Sequence, residues 1–306
     1  MYDISPSSHK LIKNTILITG CQRSGTSLLG NLIGTASDVE YHYEPPLMET
    51  LLPSLCSAKN EEEKQKWALL FRAFCYEELA VSGLAGRRMN FNKGEKSYIG
   101  NMKDKKEIDS RLSGSMRRHE LEDEVLNWKL GFKTPGVTHL LKPLKEIFPD
   151  IKTVIIYRNA KDTLQSLVKQ KWFDDETPQT IWPCHVYKGS RIPECIPEND
   201  FDLWLNADTA RRSAHYILRQ WENTVDSSPT LLINYNELLS EPKKVAEHIF
   251  NKLNIKFSDK TKNILTTFKG PVNYSDTPEY DTLSDDIREK LVELERKLDR
   301  NATEAI

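Results

Sequence analysis

The stretch that decides the fold is residues 15–34, which read TILITGCQRSGTSLLGNLIG. Its first five residues, Thr15–Thr19, are apolar or β-branched and end at a glycine, the pattern of a parallel strand buried on both faces. Beyond the glycine turn, apolar side chains recur at helical spacing, at Leu28, Leu29, Leu32 and Ile33. We therefore predict a buried strand, a tight turn and a helix in direct succession.

The same alternation continues along the 306 residues of the chain. Further strands are predicted at residues 39–43, 129–132, 153–158 and 230–235, and helices near 140–147, 162–171 and 243–253. Strands that alternate with helices in this way form a parallel sheet with helices packed on it. The predicted fold class is therefore α/β, and the length suits one domain over residues 1–306.

Two segments fit the alternation badly. Residues 47–126 read mostly helical and contain a basic stretch, 87–118, with ten Lys or Arg against four Asp or Glu. Residues 171–208 hold eight acidic residues against three basic ones, mixed with aromatic side chains. Long irregular segments of compact domains tend to be lids or binding loops, so both are interpreted as insertions that shape a binding site. The alternative for both segments is an ordinary solvated surface. For the basic stretch, 87–118, the solvated surface is preferred over a binding loop.

Composition argues against several classes of function. The net charge of −2 gives no reason to expect nucleic acid or an anionic membrane as a partner. No apolar run reaches the roughly 18–20 residues that span a bilayer, and the first residues lack the apolar core of a secretory signal. Five cysteines are scattered without the spacing of metal ligands, as in proteins of a reducing compartment. We expect a cytoplasmic protein.

The turn after the first strand is similar to a nucleotide-binding loop but lacks its lysine. Gly20 and Gly25 enclose four residues, as in the loop G-x-x-x-x-G-K-[ST], and Ser27 stands at the position of the magnesium-binding hydroxyl. The lysine position holds Thr26, and the positive charge lies earlier, at Arg23. Backbone N–H groups at the start of the following helix favour an anion. The loop therefore suits the phosphate or phosphosulfate of a nucleotide that has no γ-phosphate.

A second pair of residues strengthens this interpretation. Arg158 ends the strand predicted at 153–158, where a magnesium-dependent enzyme of this type needs an aspartate. Ser166 follows in the next predicted helix, and an arginine fork with a helix serine can hold a second phosphate from one side. The two motifs together predict a site for a nucleotide without a γ-phosphate, handled without metal.

The loop R-S-G-T-S and the segment R-N-A-K-D-T-L-Q-S, in this order, resemble the sulfotransferases that use 3′-phosphoadenosine-5′-phosphosulfate (PAPS). The resemblance runs from residue 15 to about residue 253 and is weakest over the two insertions. It implies a P-loop-like parallel sheet between helices, and release of 3′-phosphoadenosine-5′-phosphate (PAP) as product. It also implies that Arg158 and Ser166 bind the 3′-phosphate. The 5′-phosphosulfate is then bound by Arg23, Ser24, Gly25, Thr26 and Ser27.

Three further positions carry over from the family less directly. Tyr235 matches a tyrosine that lies near the adenine, with an ordinary core residue as the alternative. Lys133, in the sequence FKTP, matches a lysine near the transferring sulfuryl group, with a solvated strand-end lysine as the alternative. Lys269 falls where relatives have a basic phosphate-binding segment, but the match is poor and a solvated side chain is the better interpretation. The predicted stabilisers of the leaving group are Arg23, Lys133, Thr26 and Ser27.

The catalytic base departs from one branch of the family. Cytosolic relatives place a histidine two residues after the matching lysine, and here that position is Pro135. Other relatives use a glutamate soon after the second strand, and Glu44 fits that pattern. The alternative is His42, which shares a face with Glu44 if the strand alternates. Two histidines are weaker candidates, His139 and His185.

The sequence therefore predicts a PAPS-dependent sulfotransferase that modifies a hydroxyl or amine by metal-independent in-line displacement. A non-catalytic nucleotide-binding regulatory protein and a P-loop kinase with a degenerate loop are the alternatives. The acidic, aromatic segment 171–208 favours a small polar or cationic molecule, such as a secondary metabolite, over a sulfated polysaccharide as acceptor. The sequence does not decide the oligomeric state, and a homodimer is one of the possibilities.

Overall fold

The structure is a computed structural model that describes residues 6–95, 97–176, 183–271 and 277–304. Its strands are β1 (Thr15–Thr19), β2 (Val39–Tyr43), β3 (Lys129–Lys133), β4 (Lys152–Tyr157), β5 (Cys184–Tyr187), β6 (Ser190–Pro193) and β7 (Leu231–Asn234). Five of them form one parallel sheet in the order β2-β3-β1-β4-β7, and β5 and β6 form a separate antiparallel hairpin. The predicted α/β class is confirmed.

Helices surround the parallel sheet. They are α1 (Pro6–Lys13), α2 (Thr26–Gly34), α3 (Met48–Cys56), α4 (Glu61–Ala73), α5 (Ser82–Leu84), α6 (Lys105–Leu112), α7 (Arg118–Val125), α8 (Leu141–Ile147), α9 (Ala160–Lys169), α10 (Phe201–Asn206), α11 (Thr209–Asp226), α12 (Tyr235–Ser240), α13 (Pro242–Leu253), α14 (Asp259–Thr266), α15 (Pro278–Asp281) and α16 (Asp285–Glu304). In the part of the chain described, none of these helices has the length and apolar character needed to cross a membrane.

The central strands are buried on both faces. In β1, Leu17 packs into the core on one side of the sheet, while Ile16 and Ile18 pack into the core on the other side. In β4, Ile155 belongs to the first core and Val154 to the second. This double burial is the reason that the strands read as continuous apolar runs in the sequence.

The predicted strands of the sheet are confirmed, with ends shifted by a residue or two. β4 ends at Tyr157, so Arg158 lies just beyond the edge of the sheet. β7 ends at Asn234, because the Asn234 side chain accepts hydrogen bonds from the backbone N–H groups of the next turn and caps α12. Tyr235 is therefore the first residue of a helix. All five strands are parallel, so their carboxyl ends share one edge, the usual place for a ligand in such sheets.

The insertion at residues 47–126 is mostly helical, as predicted, and includes a π-helical stretch at Phe74–Val81. Its basic stretch is tied to the sheet: Arg111 Nη1 donates to Glu40 Oε2 on β2 at 2.6 Å, and both side chains are buried. Lys103 is buried as well and donates to the carbonyl oxygen of Ala36. The prediction of a solvated surface is therefore wrong for Arg111 and Lys103. The sequence could not show this, because it does not reveal that Glu40 is a buried carboxylate that needs a cationic partner.

The insertion at residues 171–208 contains regular structure that the sequence did not predict. The hairpin of β5 and β6 and the helix α10 occupy much of it. Residues 177–182, with Trp182, lie outside the described residues.

Candidate active site

A cleft of about 650 Å³ opens at the carboxyl edge of the sheet. Its walls come from the loop after β1, the ends of β2, β3 and β4, the start of α12 and the residues after α14. The predicted site residues that line it are Arg23, Gly25, Thr26, Ser27, Glu44, Lys133, Arg158, Ser166 and Tyr235. The parallel sheet thus brings together residues that are dispersed over most of the sequence.

The turn after β1 needs glycine at two positions. Gly20 has a φ of 149°, and a Cβ atom there would lie 2.2 Å from the carbonyl oxygen of Ile156. Gly25 has a φ of 101°, and its Cβ would lie 2.3 Å from Cδ2 of Tyr235. The missing side chains let the loop pass close to β4 and to the tyrosine ring. The helix α2 then begins at Thr26 inside the cleft, where its first N–H groups and dipole favour an anion.

Ser24 shapes the loop instead of facing the cleft. Its side chain is fully buried, and its Oγ lies 2.6 Å from the carbonyl oxygen of Cys21 and 2.9 Å from that of Ile156. It is absent from the residues that line the cleft. The loop hydroxyls that remain for an anion are those of Thr26 and Ser27. The sequence could not show this, because a loop serine reads the same whether its hydroxyl turns inward or outward.

The two motifs that are predicted to bind phosphate meet in the structure. Arg23 Nε donates to Ser166 Oγ at 2.9 Å, which joins the loop after β1 to α9. The Arg23 guanidinium also lies 5.9 Å from the centroid of the Trp172 ring. Its backbone has a φ of 71°, in the left-handed region that is uncommon for a residue with a side chain and often found at functional sites.

Arg158 is held by two neighbours. Its Nη2 lies 3.0 Å from Oδ2 of Asp162 in the first turn of α9, and its guanidinium lies 4.9 Å from the centroid of the Tyr235 ring. Asp162 is itself buried and accepts a hydrogen bond from the Asn159 side chain at 2.8 Å. Sequence reasoning missed Asp162, because Arg158 was predicted to end a strand and the helical spacing rule applies only when both residues lie on one helix.

Lys133, the last residue of β3, is the most buried cation that lines the cleft, with 1% exposure. Its Nζ donates to Ser27 Oγ at 3.1 Å and to Glu44 Oε1, and it lies 3.9 Å from the centroid of the Tyr43 ring. The Tyr43 hydroxyl is 3.3 Å from Ser27 Oγ. The solvated alternative for Lys133 is therefore wrong, because protein groups replace water around it. Tyr43 was missed, although it directly precedes the predicted base.

Glu44 lies immediately beyond β2 and faces Lys133. Tyr43 and Lys133 are paired in the register of β2 and β3, and the Glu44 backbone N–H donates to the Lys133 carbonyl oxygen at 2.9 Å. The Glu44 side chain is 33% exposed, so its carboxylate is accessible from the cleft. Another carboxylate, Glu49 in the first turn of α3, lies nearby: burial and then the charge of Glu44 raise the pKa of Glu49.

The histidines lie away from the cleft. His42 is 4% exposed, and its Nε2 lies 3.6 Å from Glu40 Oε1. Burial lowers the pKa of His42 from 6.5 to about 4, so the ring is neutral at neutral pH. The face that it was expected to share with Glu44 is not formed, because β2 ends at Tyr43 and Glu44 turns with a φ of 41°. His139 and His185 are both near Glu194, outside the cleft lining.

The residues after α14 reach the cleft, where the sequence match was poor. Thr267, Phe268, Lys269 and Gly270 all contribute to its lining, and Lys269 is exposed to solvent. The expected solvation of Lys269 is correct, but its place beside the cleft could not be read from the sequence.

Basic side chains outnumber acidic ones in the cleft. Among the described residues that line it, Glu44 is the one carboxylate, and the cations are Arg23, Lys133, Arg158 and Lys269. Across the described part of the chain, no three His, Cys, Asp or Glu side chains are grouped so that they could hold a metal ion. The arrangement suits an anion with more than one charged group, beside a single carboxylate that can accept a proton.

The sulfotransferase family has a sequence model that matches residues 15–259, which is most of the chain. The chain therefore belongs to the sulfotransferase family, and its activity class is that of a transferase.

Solved structures of sulfotransferases are similar to this chain at low identity. The sulfotransferase domain from the Synechococcus PCC 7002 olefin synthase shares 15% identity over 92% of this chain and 92% of that chain, with a TM-score of 0.47. The sulfotransferase domain from the curacin biosynthetic pathway shares 14% identity over 92% of this chain and 96% of that chain, with a TM-score of 0.48. A sulfotransferase from Alicyclobacillus acidocaldarius shares 13% identity over 94% of this chain and 95% of that chain, with a TM-score of 0.44. No curated protein matches the chain.

Proposed function

We propose that the protein transfers a sulfuryl group from PAPS to a small polar or cationic metabolite. The observation that carries the proposal is the position of Lys133, which lies between Ser27 of the glycine loop and Glu44. This arrangement sets a buried positive charge beside both an anion-binding loop and a carboxylate that solvent can reach.

The residues of the cleft fit a nucleotide that carries two separate anionic groups. The start of α2, Thr26 and Ser27 would hold the 5′-phosphosulfate, because their N–H and O–H groups and the dipole of α2 all favour negative charge. Arg158 would hold the 3′-phosphate, since Asp162 fixes the orientation of its guanidinium. The Tyr235 ring, which packs against both Gly25 and Arg158, would contact the adenine side of the nucleotide.

Arg23 and Ser166 connect these two halves of the site. Their hydrogen bond of 2.9 Å places a guanidinium and a hydroxyl between the glycine loop and α9. Arg23 can therefore contribute charge to either phosphate, whereas the sequence assigned it to the loop alone. Thr26 stands where a triphosphate-binding loop has lysine, which agrees with a donor that has no γ-phosphate.

PAPS supplies an activated sulfuryl group and a phosphate that departs from it. Glu44 would accept the proton of the acceptor hydroxyl or amine at a carboxylate oxygen, because its side chain is partly exposed at the cleft. Lys133 Nζ would donate to the oxygen where negative charge develops, and its burial strengthens that interaction. As Glu44 gains a proton, its attraction for Lys133 falls, which leaves the ammonium free to turn toward the departing phosphate.

Two other classes of function make different predictions for the same cleft. A non-catalytic nucleotide-binding protein needs the cationic groups but has no use for Glu44 at the mouth of the cleft. A kinase needs a carboxylate near the phosphates to hold magnesium, and the single carboxylate of the described lining is already paired with Lys133. Both observations favour sulfuryl transfer.

The donor site is tested by thermal unfolding of the full chain with PAP, with AMP, and with ATP plus magnesium. A ligand at about 100 times its Kd that binds only the folded state stabilises it by roughly 2.7 kcal/mol, which shifts the melting temperature measurably. We expect that shift with PAP and a much smaller one with AMP, because AMP lacks the 3′-phosphate that Arg158 would bind. Arg158→Gln should abolish the difference between PAP and AMP.

The matched control is Arg211→Gln, which removes an exposed arginine on α11, away from the cleft lining. It should leave the PAP shift unchanged. A shift that appears with ATP plus magnesium but not with PAP would replace the sulfotransferase proposal with the kinase. A PAP shift without transfer to any acceptor of a broad panel would support the non-catalytic protein.

A further inference from the structure

A second cavity adjoins the cleft and shares Gln22 and Trp172 with it. This side chamber has a volume of about 20 Å³, and its other principal walls are His139, Phe173, Glu194 and Tyr216. A volume of this size holds one water-sized group, since a cavity needs roughly 10–15 Å³ for a single water molecule. The chamber therefore suits the terminal group of a ligand whose remainder lies in the cleft.

Several polar atoms that line the side chamber have no hydrogen-bond partner among the described residues: two side-chain oxygens, of Glu194 and Gln22, both ring nitrogens of His139 and the Tyr216 hydroxyl. Glu194 Oε2 and Gln22 Oε1 are both buried, and neither has a hydrogen-bond partner among the described residues. His139 Nε2 lies 3.5 Å from Glu194 Oε2 without the alignment of a hydrogen bond. Buried acceptors without donors are costly, so a ligand that brings N–H donors would be stabilised there.

Two arginines of the adjoining segments, Arg219 and Arg23, have partners other than Glu194. Arg219 pairs with Asp200 at 2.5 Å and with Glu222 at 2.8 Å. Arg23 donates to Ser166, and its guanidinium lies 5.9 Å from the centroid of the Trp172 ring. The charge of Glu194 acts on its surroundings, because after burial it is the next cause of the raised pKa of the Cys56 thiol. Glu194 therefore places a carboxylate in the wall of the chamber, beside a cleft in which cations predominate.

The hairpin of β5 and β6 fixes the position of Glu194. Its backbone N–H donates to the carbonyl oxygen of Pro183 at 3.2 Å, and its own carbonyl oxygen lies 3.2 Å from Nε2 of His185. Glu194 directly follows β6, and its side chain is 22% exposed. The backbone of Glu194 is thus held in place, and its side chain remains partly exposed.

We infer that the side chamber receives a protonated amine of the acceptor, bound by Glu194 and Gln22 and surrounded by aromatic rings. An ammonium group supplies the donors that both oxygens lack, and the rings of Trp172, Phe173 and Tyr216 favour a cation. The inference rests on the proposed function, because the amine is taken to belong to the molecule that accepts the sulfuryl group.

The same chemistry decides which atom of the acceptor reacts. A protonated amine has no lone pair, so a nitrogen bound to Glu194 cannot attack sulfur. The nucleophile is then a hydroxyl elsewhere on the molecule, whose proton passes to Glu44 as its oxygen forms the bond to sulfur and the bond from sulfur to the phosphate oxygen breaks. The structure thus favours an amino alcohol or phenolic amine as acceptor, and transfer to oxygen rather than nitrogen.

The inference is tested with matched pairs of probes, each an amino alcohol or phenolic amine and its neutral analogue without nitrogen. Tyramine and para-ethylphenol form one such pair. Binding to the full chain, with and without PAP, is measured by calorimetry for the wild type and for Glu194→Gln, Glu194→Asp and Glu198→Gln. Glu198 is an exposed carboxylate of the same segment and provides the matched control.

We expect at least one amine to bind tenfold to a hundredfold more tightly than its neutral analogue, the range for a hydrogen bond to a charged group. Glu194→Gln should remove that preference, Glu194→Asp should keep part of it, and Glu198→Gln should leave it unchanged. No preference in any pair, or a preference that persists in Glu194→Gln, would overturn the inference, as would transfer of sulfate to the nitrogen. Circular dichroism melts of the variants show whether a loss of binding is only a loss of folding.

The two proposals fail separately. If PAP stabilises the protein but the amine preference is absent, the side chamber is misassigned and the donor site stands. If the amine binds through Glu194 but PAP has no effect, the chamber is a cation site and the sulfuryl-transfer proposal is wrong.

Discussion

Replacement of Glu44 by glutamine removes the proposed proton acceptor and keeps almost the same shape. The glutamine side chain would still offer a carbonyl oxygen to Lys133 Nζ, so the hydrogen-bonded arrangement of Ser27, Lys133 and the side chain at position 44 should persist. The substitution thus separates the chemistry of the carboxylate from the architecture of the cleft.

Its expected effect on the rate follows from the role of a general base. Loss of a positioned base lowers the rate by about 10²- to 10⁴-fold, which corresponds to about 2.7–5.4 kcal/mol in the activation free energy. The effect on stability should be smaller. Removing one partner of a fully buried ion pair costs about 3–5 kcal/mol, but Glu44 is one-third exposed and its glutamine replacement still accepts a hydrogen bond, so we expect about 1 kcal/mol.

The assay is transfer of radiolabelled sulfate from PAPS to the best acceptor of the probe panel, with PAP binding measured in parallel. Glu44→Gln should lower kcat and leave the Kd for PAP within a factor of about three, since Glu44 contacts Lys133 rather than the proposed phosphate sites. The matched control is Glu49→Gln, which removes the neighbouring carboxylate in α3. It should retain activity.

Two results would refute this reasoning. Near-normal kcat in Glu44→Gln would show that Glu44 is not the base, and a large loss in Glu49→Gln at the same time would transfer the role to Glu49. A large rise in the Kd for PAP would mean that Glu44 acts by holding Lys133 in place.

Two further predictions concern the loop and β2. Gly25→Ala should weaken PAP binding at least tenfold in calorimetry, because a Cβ would lie 2.3 Å from the Tyr235 ring and the φ of 101° is strained for alanine; unchanged affinity would show that the close contact with Tyr235 is not needed. Burial lowers the pKa of His42 to about 4 in the folded protein, so the unfolded chain binds the proton more readily. The free energy of unfolding therefore decreases as the pH falls from about 6.5 toward 4. Urea unfolding should show about 2 kcal/mol lower stability at pH 5 than at pH 7.5 from this group, and His42→Gln should reduce that difference. Equal pH dependence in the wild type and His42→Gln would contradict the assignment.

Local sequence patterns predicted much of the fold and the glycine loop. Thr15–Thr19 is apolar or β-branched at every position, as a doubly buried strand requires, and Gly25 stands where the backbone must adopt a positive φ. The positions of the second motif were also predicted from the sequence. Arg158 follows an apolar strand pattern, and Ser166 lies eight residues later within the pattern of the next helix. These features depend on neighbours in the sequence, so the sequence alone was enough to place them.

Contacts between distant segments could not be predicted in the same way. The sequence does not state that β2 lies beside β3, and it is this adjacency, with Tyr43 in register with Lys133, that joins Glu44 to Lys133. Nor does it state that the Ser24 hydroxyl turns to Ile156.

By itself, then, the sequence determined the α/β alternation, the glycine loop after β1 and the residue types that sulfuryl transfer would need. Tertiary structure alone decided that Glu44, rather than His42, faces the cleft, and that Glu194 closes a side chamber beside it. The physical reason is that a strand or a turn is stabilised by local backbone preferences and burial, whereas the partner of a buried charge is chosen by which segments the packed sheet brings within a few ångströms of each other.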